Sequence, residues 1–180
     1  MRLGILMCTV LVAAQAGRTP AVSSAESSRP QNQTRGRGAP SSETSPAPPP
    51  GSAGIYKSDS ELTAALQKAI ATAQGMASSP VANTDQYRIN VVRRGAAAGA
   101  LAHAGNTEVH YIIDGSATFV SGGTIVRPTS GGAPAQIQGG VSRQVGKGDV
   151  VVIPENSPHW YKDVAGSVTY LEVRFVAPAK

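Results

Sequence analysis

Long hydrophobic runs are scarce in this chain of 180 residues, and the longest stands at its start. Residues 3–14 (LGILMCTVLVAA) follow a single Arg2. They fall short of the ~20 apolar residues that a helix needs to cross a bilayer, so no stable membrane span is expected. Ala14-Gln15-Ala16 closes the run with an A-x-A cleavage pattern. Residues 1–16 therefore read as a secretory signal peptide, and export predicts a secreted or periplasmic protein. Cysteine is scarcer still, with Cys8 alone inside that run. Cleavage leaves a mature chain without cysteine, which excludes disulfides and thiolate metal ligands. Concentrated charge is also missing. The formal net charge is +5, but from residue 55 onward eleven basic residues face nine acidic ones, and Arg93-Arg94 is the only adjacent basic pair there. A nucleic-acid domain gathers positive charge on one face, so no nucleic-acid partner is expected.

Large apolar side chains are nearly absent from residues 17–54, a stretch of Ser, Pro, Ala, Gly, Gln and Thr ending in Pro48-Pro49-Pro50. Such a segment buries too little surface to offset the entropy of ordering, and it reads as a disordered linker. A single domain is left at residues 55–180.

That domain opens with a helix, expected over 58–74. Ser58-x-x-Glu61 is a capping box, Leu62, Ala65, Leu66, Ala69 and Ile70 recur at helical spacing, and Gly75 is a stop. The helix is expected to pack on the outside of the domain. From Pro80 the period becomes two. Tyr87, Ile89 and Val91 alternate with Arg88, Asn90 and Val92, as in a half-buried strand. Further strands are expected around Leu101 and His103, over 108–113, 116–120, 124–126, 141–145, 149–153, 159–163 and 168–176. Asp114-Gly115 predicts a tight hairpin between two of them. Many short strands divided by turns indicate an antiparallel sandwich or barrel, placed over about 86–176.

All three histidines lie in these strands. The pattern is His103-x4-Glu108-Val109-His110, then Gly148-x5-Pro154-x-Asn156-x2-His159-x3-Asp163. Glu108 and His110, two residues apart, share a strand face at ~7 Å separation, and so do Leu101 and His103. His159, Tyr161 and Asp163 likewise share a face. If these faces point inward, His103, Glu108 and His159 converge, and imidazole with carboxylate is a donor set for divalent transition metals. A packed, hydrogen-bonded core histidine is the competing reading.

With these two motifs in order, the segment from Tyr87 to Val176 resembles the cupin superfamily, in the form of a small single-domain member. The first family motif has His-x-His, then a Glu, then a Gly; His103 matches its second His, and Glu108 and Gly115 match the rest. Leu101 stands at the first His position, a departure. The second motif is met by Gly148, Pro154 and His159, with Asn156 in place of a Gly and Asp163 in place of an Asn; Asn tolerates the left-handed turn.

The resemblance implies an all-β fold, a double-stranded β-helix or jelly-roll barrel with one N-terminal flanking α-helix. It implies a divalent metal cation (Fe, Mn, Zn, Ni or Cu) held by His103, Glu108 and His159, a facial set with open positions. His110 is not a ligand position in the family pattern; its parity suits a catalytic acid/base, a substitute ligand or a donor to a ligand. The expected function is metal-dependent oxygenase (dioxygenase), isomerase or lyase chemistry on a small organic molecule. The alternative is a non-catalytic small-ligand carrier, metal-free or not, and a structural module is a third class. The family also suggests a homodimer. The Gly-rich insert at 121–140 is expected to form a flexible rim or lid over the mouth.

Overall fold

The computed structural model describes residues 44–129 and 132–176. The expected signal peptide and the first part of the expected linker lie outside the described residues. Residues 44–54 belong to that same expected linker. There Ser45 forms a parallel bridge with Thr84, and Ala47 N–H donates to Asp85 Oδ1 at 3.0 Å.

Helix α1 spans Asp59–Ile70 and is shorter than expected at its C-terminal end. Its capping box forms as the sequence predicts: Ser58 Oγ accepts from Glu61 N–H, and Glu61 Oε2 accepts from Ser58 N–H at 2.8 Å. The helix has no buried residue and lies on the outer side of the first two strands.

The strands are β1 (Met76–Asn83), β2 (Tyr87–Arg94), β3 (Thr107–Ser121), β4 (Thr124–Val126), β5 (Gln136–Gln138), β6 (Val141–Gly146), β7 (Val150–Ile153) and β8 (His159–Phe175). The main sheet runs β1-β2-β8-β3-β6, with β7 also paired to β3, and β4 pairs with β5 in a small second sheet. All strand pairs are antiparallel. The fold is the expected jelly-roll barrel with one flanking helix.

Two expected pairs of strands are single long ones. Asp114-Gly115 makes no hairpin, because β3 continues through it and pairs with β8 on both sides, Asp114 with Thr169 and Gly115 with Val168. A type I′ turn needs positive φ at both central residues. Here Gly115 has φ 77°, whereas the sole non-glycine with positive φ among the described residues is Asn156. One left-handed residue in an otherwise extended strand gives a bulge, and the register shifts on each side of it. A Cβ at position 115 would lie 1.9 Å from the Ser167 carbonyl oxygen, so glycine alone fits this approach. β8 similarly runs unbroken where two strands were expected.

The apolar core is Val92, Ile112, Ala117, Phe119, Val145, Ile153, Tyr161, Val168 and Tyr170. It fills one part of the barrel. Toward the mouth the same inward faces carry polar groups, with Glu108 and His110 on β3, Glu172 on β8 and Asn90 on β2, all buried.

No described residue of the insert at 121–140 lines the cleft at the mouth. β4 and β5 tie it into a hairpin, and Ala135 O accepts from Ala100 N–H at 2.7 Å. That bond ties the insert to the loop of residues 95–106.

Candidate metal centre

His103 lies on the 95–106 loop. The short strand expected there is reduced to one bridge, Leu101 with His159, in which each residue donates to the other's carbonyl at 3.1 and 2.8 Å. The turn before β8 supports the loop from below. Asn156, left-handed at φ 59°, donates its N–H to His103 O at 2.9 Å. The second motif thus positions a residue of the first through its backbone, and the Asn tolerated at the family's glycine position takes the left-handed conformation expected of it.

The structure brings His103, Glu108 and His159 together. One ligand atom from each lies within 4.8 Å of the others. His103 Nδ1 contacts Glu108 Oε1, and His159 Nε2 stands 3.9 Å from Glu108 Oε2. Glu108 and His159 are buried on β3 and β8, and His103 is partly open to solvent. Burial opposes ionisation of Glu108, but hydrogen bonds to His103 and His110, with the charges of Arg174 and His159, outweigh it and hold the carboxyl well below the usual range. Burial chiefly depresses the His159 pKa and favours its neutral form. Its Nδ1 faces the Ser157 carbonyl at 3.0 Å. A carbonyl only accepts, so the His159 proton sits on Nδ1 and the Nε2 lone pair is turned toward Glu108. A backbone carbonyl that sets the tautomer in this way is the usual support of a metal-ligating imidazole.

His110 sits deeper and is 1% exposed. Its Nδ1 lies 3.1 Å from Tyr161 Oη and its Nε2 lies 3.3 Å from Glu108 Oε2. Tyr161 stacks on it, Tyr170 lies 4.5 Å away between ring centroids, and Phe119 meets it edge-on. Burial pushes both tyrosines up, Tyr170 to about 12 and Tyr161 further, so both remain phenols. Tyr161 can then donate to His110 Nδ1, which places the His110 proton on Nε2, directed at Glu108.

A second group of possible ligands, Glu108, His110 and Glu172, lies beside the first. The sequence reading missed Glu172 and its partners. Arg174 Nη2 donates to Glu172 Oε1 at 2.8 Å, Asn90 Nδ2 donates to Glu172 Oε2 at 3.1 Å, and Arg174 Nε lies 3.4 Å from Glu108 Oε2. A guanidinium already occupies the cation's place in this inner group. Strand parity groups Arg88, Asn90, Val92 and Arg94 on one face of β2, and Tyr170, Glu172 and Arg174 on one face of β8, but does not say that these faces are the ones directed into the barrel.

Among the other expected residues, Asp163 is exposed and stands apart from the site, and Trp160 donates its indole N–H to Ala98 O, tying the 95–106 loop to β8. Gly148, with φ 92°, makes the turn from β6 to β7 and donates to Ile112 O at 2.9 Å. Beside His103 opens a cleft of about 500 Å³. Leu101, Val92 and Met76 give it an apolar side, and Arg88, Arg94, Glu172 and Arg174 a polar one.

A family model described as Cupin matches residues 83–172 of the chain. The cupin domain of Schizosaccharomyces pombe Cnp3 is similar at 13% identity and a TM-score of 0.45, over 58% of this chain and 67% of that one. KdgF from Halomonas sp. is similar at 16% and 0.43, over 59% and 85%. A predicted oxalate decarboxylase from Thermotoga maritima is similar at 15% and 0.44, over 57% and 81%. No curated protein matches the chain.

Proposed function

We propose, from the premise that this chain belongs to the cupin family, that it binds one divalent metal ion through His103, Glu108 and His159 and acts there on a small organic molecule. The observation that carries this reading is the state of the donor set. His159 turns Nδ1 to the Ser157 carbonyl and leaves Nε2 free, the surroundings of Glu108 favour its ionised form, and His103 reaches the same carboxylate from the solvent side. Two nitrogens and one oxygen suit Fe, Mn, Zn, Ni or Cu. When bound, such an ion would polarise a carbonyl or enolate oxygen of the ligand.

The chain's own residues supply the rest. The Ser157 carbonyl holds the His159 ring, His110 N–H orients the Glu108 carboxylate, and Arg174 neutralises Glu172 so that the inner group does not compete. Leu101, at the family's usual first-histidine position, lines the cleft beside His103 and offers no ligand atom there, so a bound ion would keep a position for the ligand. Export places this activity outside the cytosol, in keeping with the leader-like residues 1–16.

One observation favours a second reading, ligand binding without turnover. His110 has both ring nitrogens engaged and is closed off from the cleft, which fits the positioning of Glu108 better than proton transfer to a substrate.

Elemental analysis of the purified full chain tests the metal. About one divalent ion per chain is expected, reduced at least about 100-fold in affinity in Glu108→Gln, with the strand-rich circular dichroism retained. Equal metal content in the two proteins would overturn the assignment.

A further inference from the structure

The cleft beside the metal group is lined by Arg88, Arg94 and Arg174 against the single carboxylate Glu172. Arg174 is spent on Glu172 and Glu108. Arg94 is held differently. Its Nε donates to Tyr170 Oη at 2.9 Å, and its guanidinium carbon lies 5.2 Å from the Tyr161 ring centroid and 6.0 Å from that of Tyr170.

These partners orient the Arg94 guanidinium without neutralising it. A hydroxyl oxygen and two aromatic faces are uncharged partners, and stacking on an aromatic face leaves the planar Nη edge available for a forked pair of hydrogen bonds. Arg94 shares its strand face with Asn90 and Val92, so it belongs to the same cleft wall as the metal group.

We propose that Arg94 is the anion-recognising residue of this cleft, and that its substrate or ligand is a small organic carboxylate. The carboxylate is gripped by the Arg94 fork while another part of the molecule reaches the metal position at His103, Glu108 and His159. Met76, Val92 and Leu101 provide apolar surface for the carbon chain between the two ends. This rests on the metal-binding reading above and adds the substrate class to it.

The test is calorimetric titration of the full chain, with and without Mn(II), using acetate, malonate and succinate and their neutral amides. At least one carboxylate should bind, its amide should bind about tenfold more weakly or worse, and Arg94→Gln should lose about tenfold or more in carboxylate affinity with metal content unchanged. Arg94→Lys, which keeps the charge but not the fork, should fall between the two. If Arg94→Gln proves unfolded by thermal melting, the Lys variant carries the comparison, and parental affinity in it would overturn the proposal. Binding of none of the three acids, equal binding of acid and amide, or unchanged affinity in Arg94→Gln would also overturn it. A protein that takes up no Mn(II) but still binds the acids through Arg94 would sink the metal reading and keep only the Arg94 grip on the carboxylate.

Discussion

At the barrel mouth, Glu108 Oε1 meets His103; a few ångströms inward, Glu108 Oε2 is shared by His110, Arg174 and, at 3.9 Å, His159. Two groups with the same kinds of ligand atom therefore overlap at one carboxylate. Their surroundings differ in charge. The inner group has two carboxylates and a guanidinium between them, and the outer group has two imidazoles, one of them favoured neutral, and no cation of its own. Counting donors makes the groups equal. Counting charge separates them, because the inner site already contains its cation and one negative charge of the Glu108–Glu172 pair is still unmatched. A divalent ion in the outer group would meet that charge.

The sharpest way to break this contrast is to remove the built-in cation. Arg174→Met leaves Glu108 and Glu172 facing each other across a buried space. Loss of one partner from a buried ion pair typically costs about 3–5 kcal/mol. Some of that is relieved here because the Arg174 side chain is 21% exposed, and about 2–4 kcal/mol is expected in urea denaturation of the metal-free protein. Added Zn(II) should restore more stability to this variant than to the parent, since a second position for a cation has been vacated. A variant as stable as the parent, with the same response to zinc, would show that Arg174 does not balance the inner group.

A smaller effect, confined to the outer group, is expected from Leu101→His. Leu101 exchanges both backbone hydrogen bonds with His159 and lines the cleft with His103, so an imidazole placed there joins the two existing ones. Metal affinity should rise by about tenfold, read by competition with a chromophoric chelator, and the coordination position left open to a ligand should be filled. Unchanged affinity would mean that residue 101 does not face the ion.

Much of this contrast could be read from the sequence, and the unread part has a common cause. The capping box, the strand alternation and the approach of Glu108 to His159 follow from local chemistry and parity, and the structure shows each of them, with His103 brought to the same place by its loop. Parity does not say which face is inside. In β8, Leu171, Val173 and Phe175 look like the face to bury, yet Tyr170 is fully buried and Glu172 and Arg174 extend the same inward face. In β2 it is Arg88, Asn90, Val92 and Arg94 that face the cleft. A barrel built around a polar site reverses the ordinary hydrophobic rule at its mouth, and Glu172, Arg174 and Arg94 were hidden behind that reversal. The Gly115 bulge was hidden for a different reason. A single glycine with positive φ serves a hairpin or a bulge equally well, and only the presence of β8 alongside decides between them.

The finest test of the contrast concerns a proton. Burial keeps Tyr161 a phenol, so its O–H can donate to His110 Nδ1, and the His110 proton is then committed to Nε2 and to Glu108. Tyr161→Phe deletes that donor while keeping the ring that stacks on His110 and Tyr170. His110 Nδ1 is then left without its donor, and the ring that holds Glu108 Oε2 through Nε2 is fixed from one side only. About 1 kcal/mol of stability should be lost, the ordinary worth of one buried hydrogen bond. Metal affinity should fall by roughly tenfold, because the carboxylate is less firmly oriented. Nitrogen-15 spectra of the imidazoles check the cause directly: the protonated nitrogen of His110 should be Nε2 in parent and variant, with the Nδ1 resonance moving as its donor is lost, while His159, held by the Ser157 carbonyl, keeps its Nδ1 proton in both. A parent protein with the His110 proton already on Nδ1 would detach His110 from Glu108 and leave the outer group without support from the barrel interior.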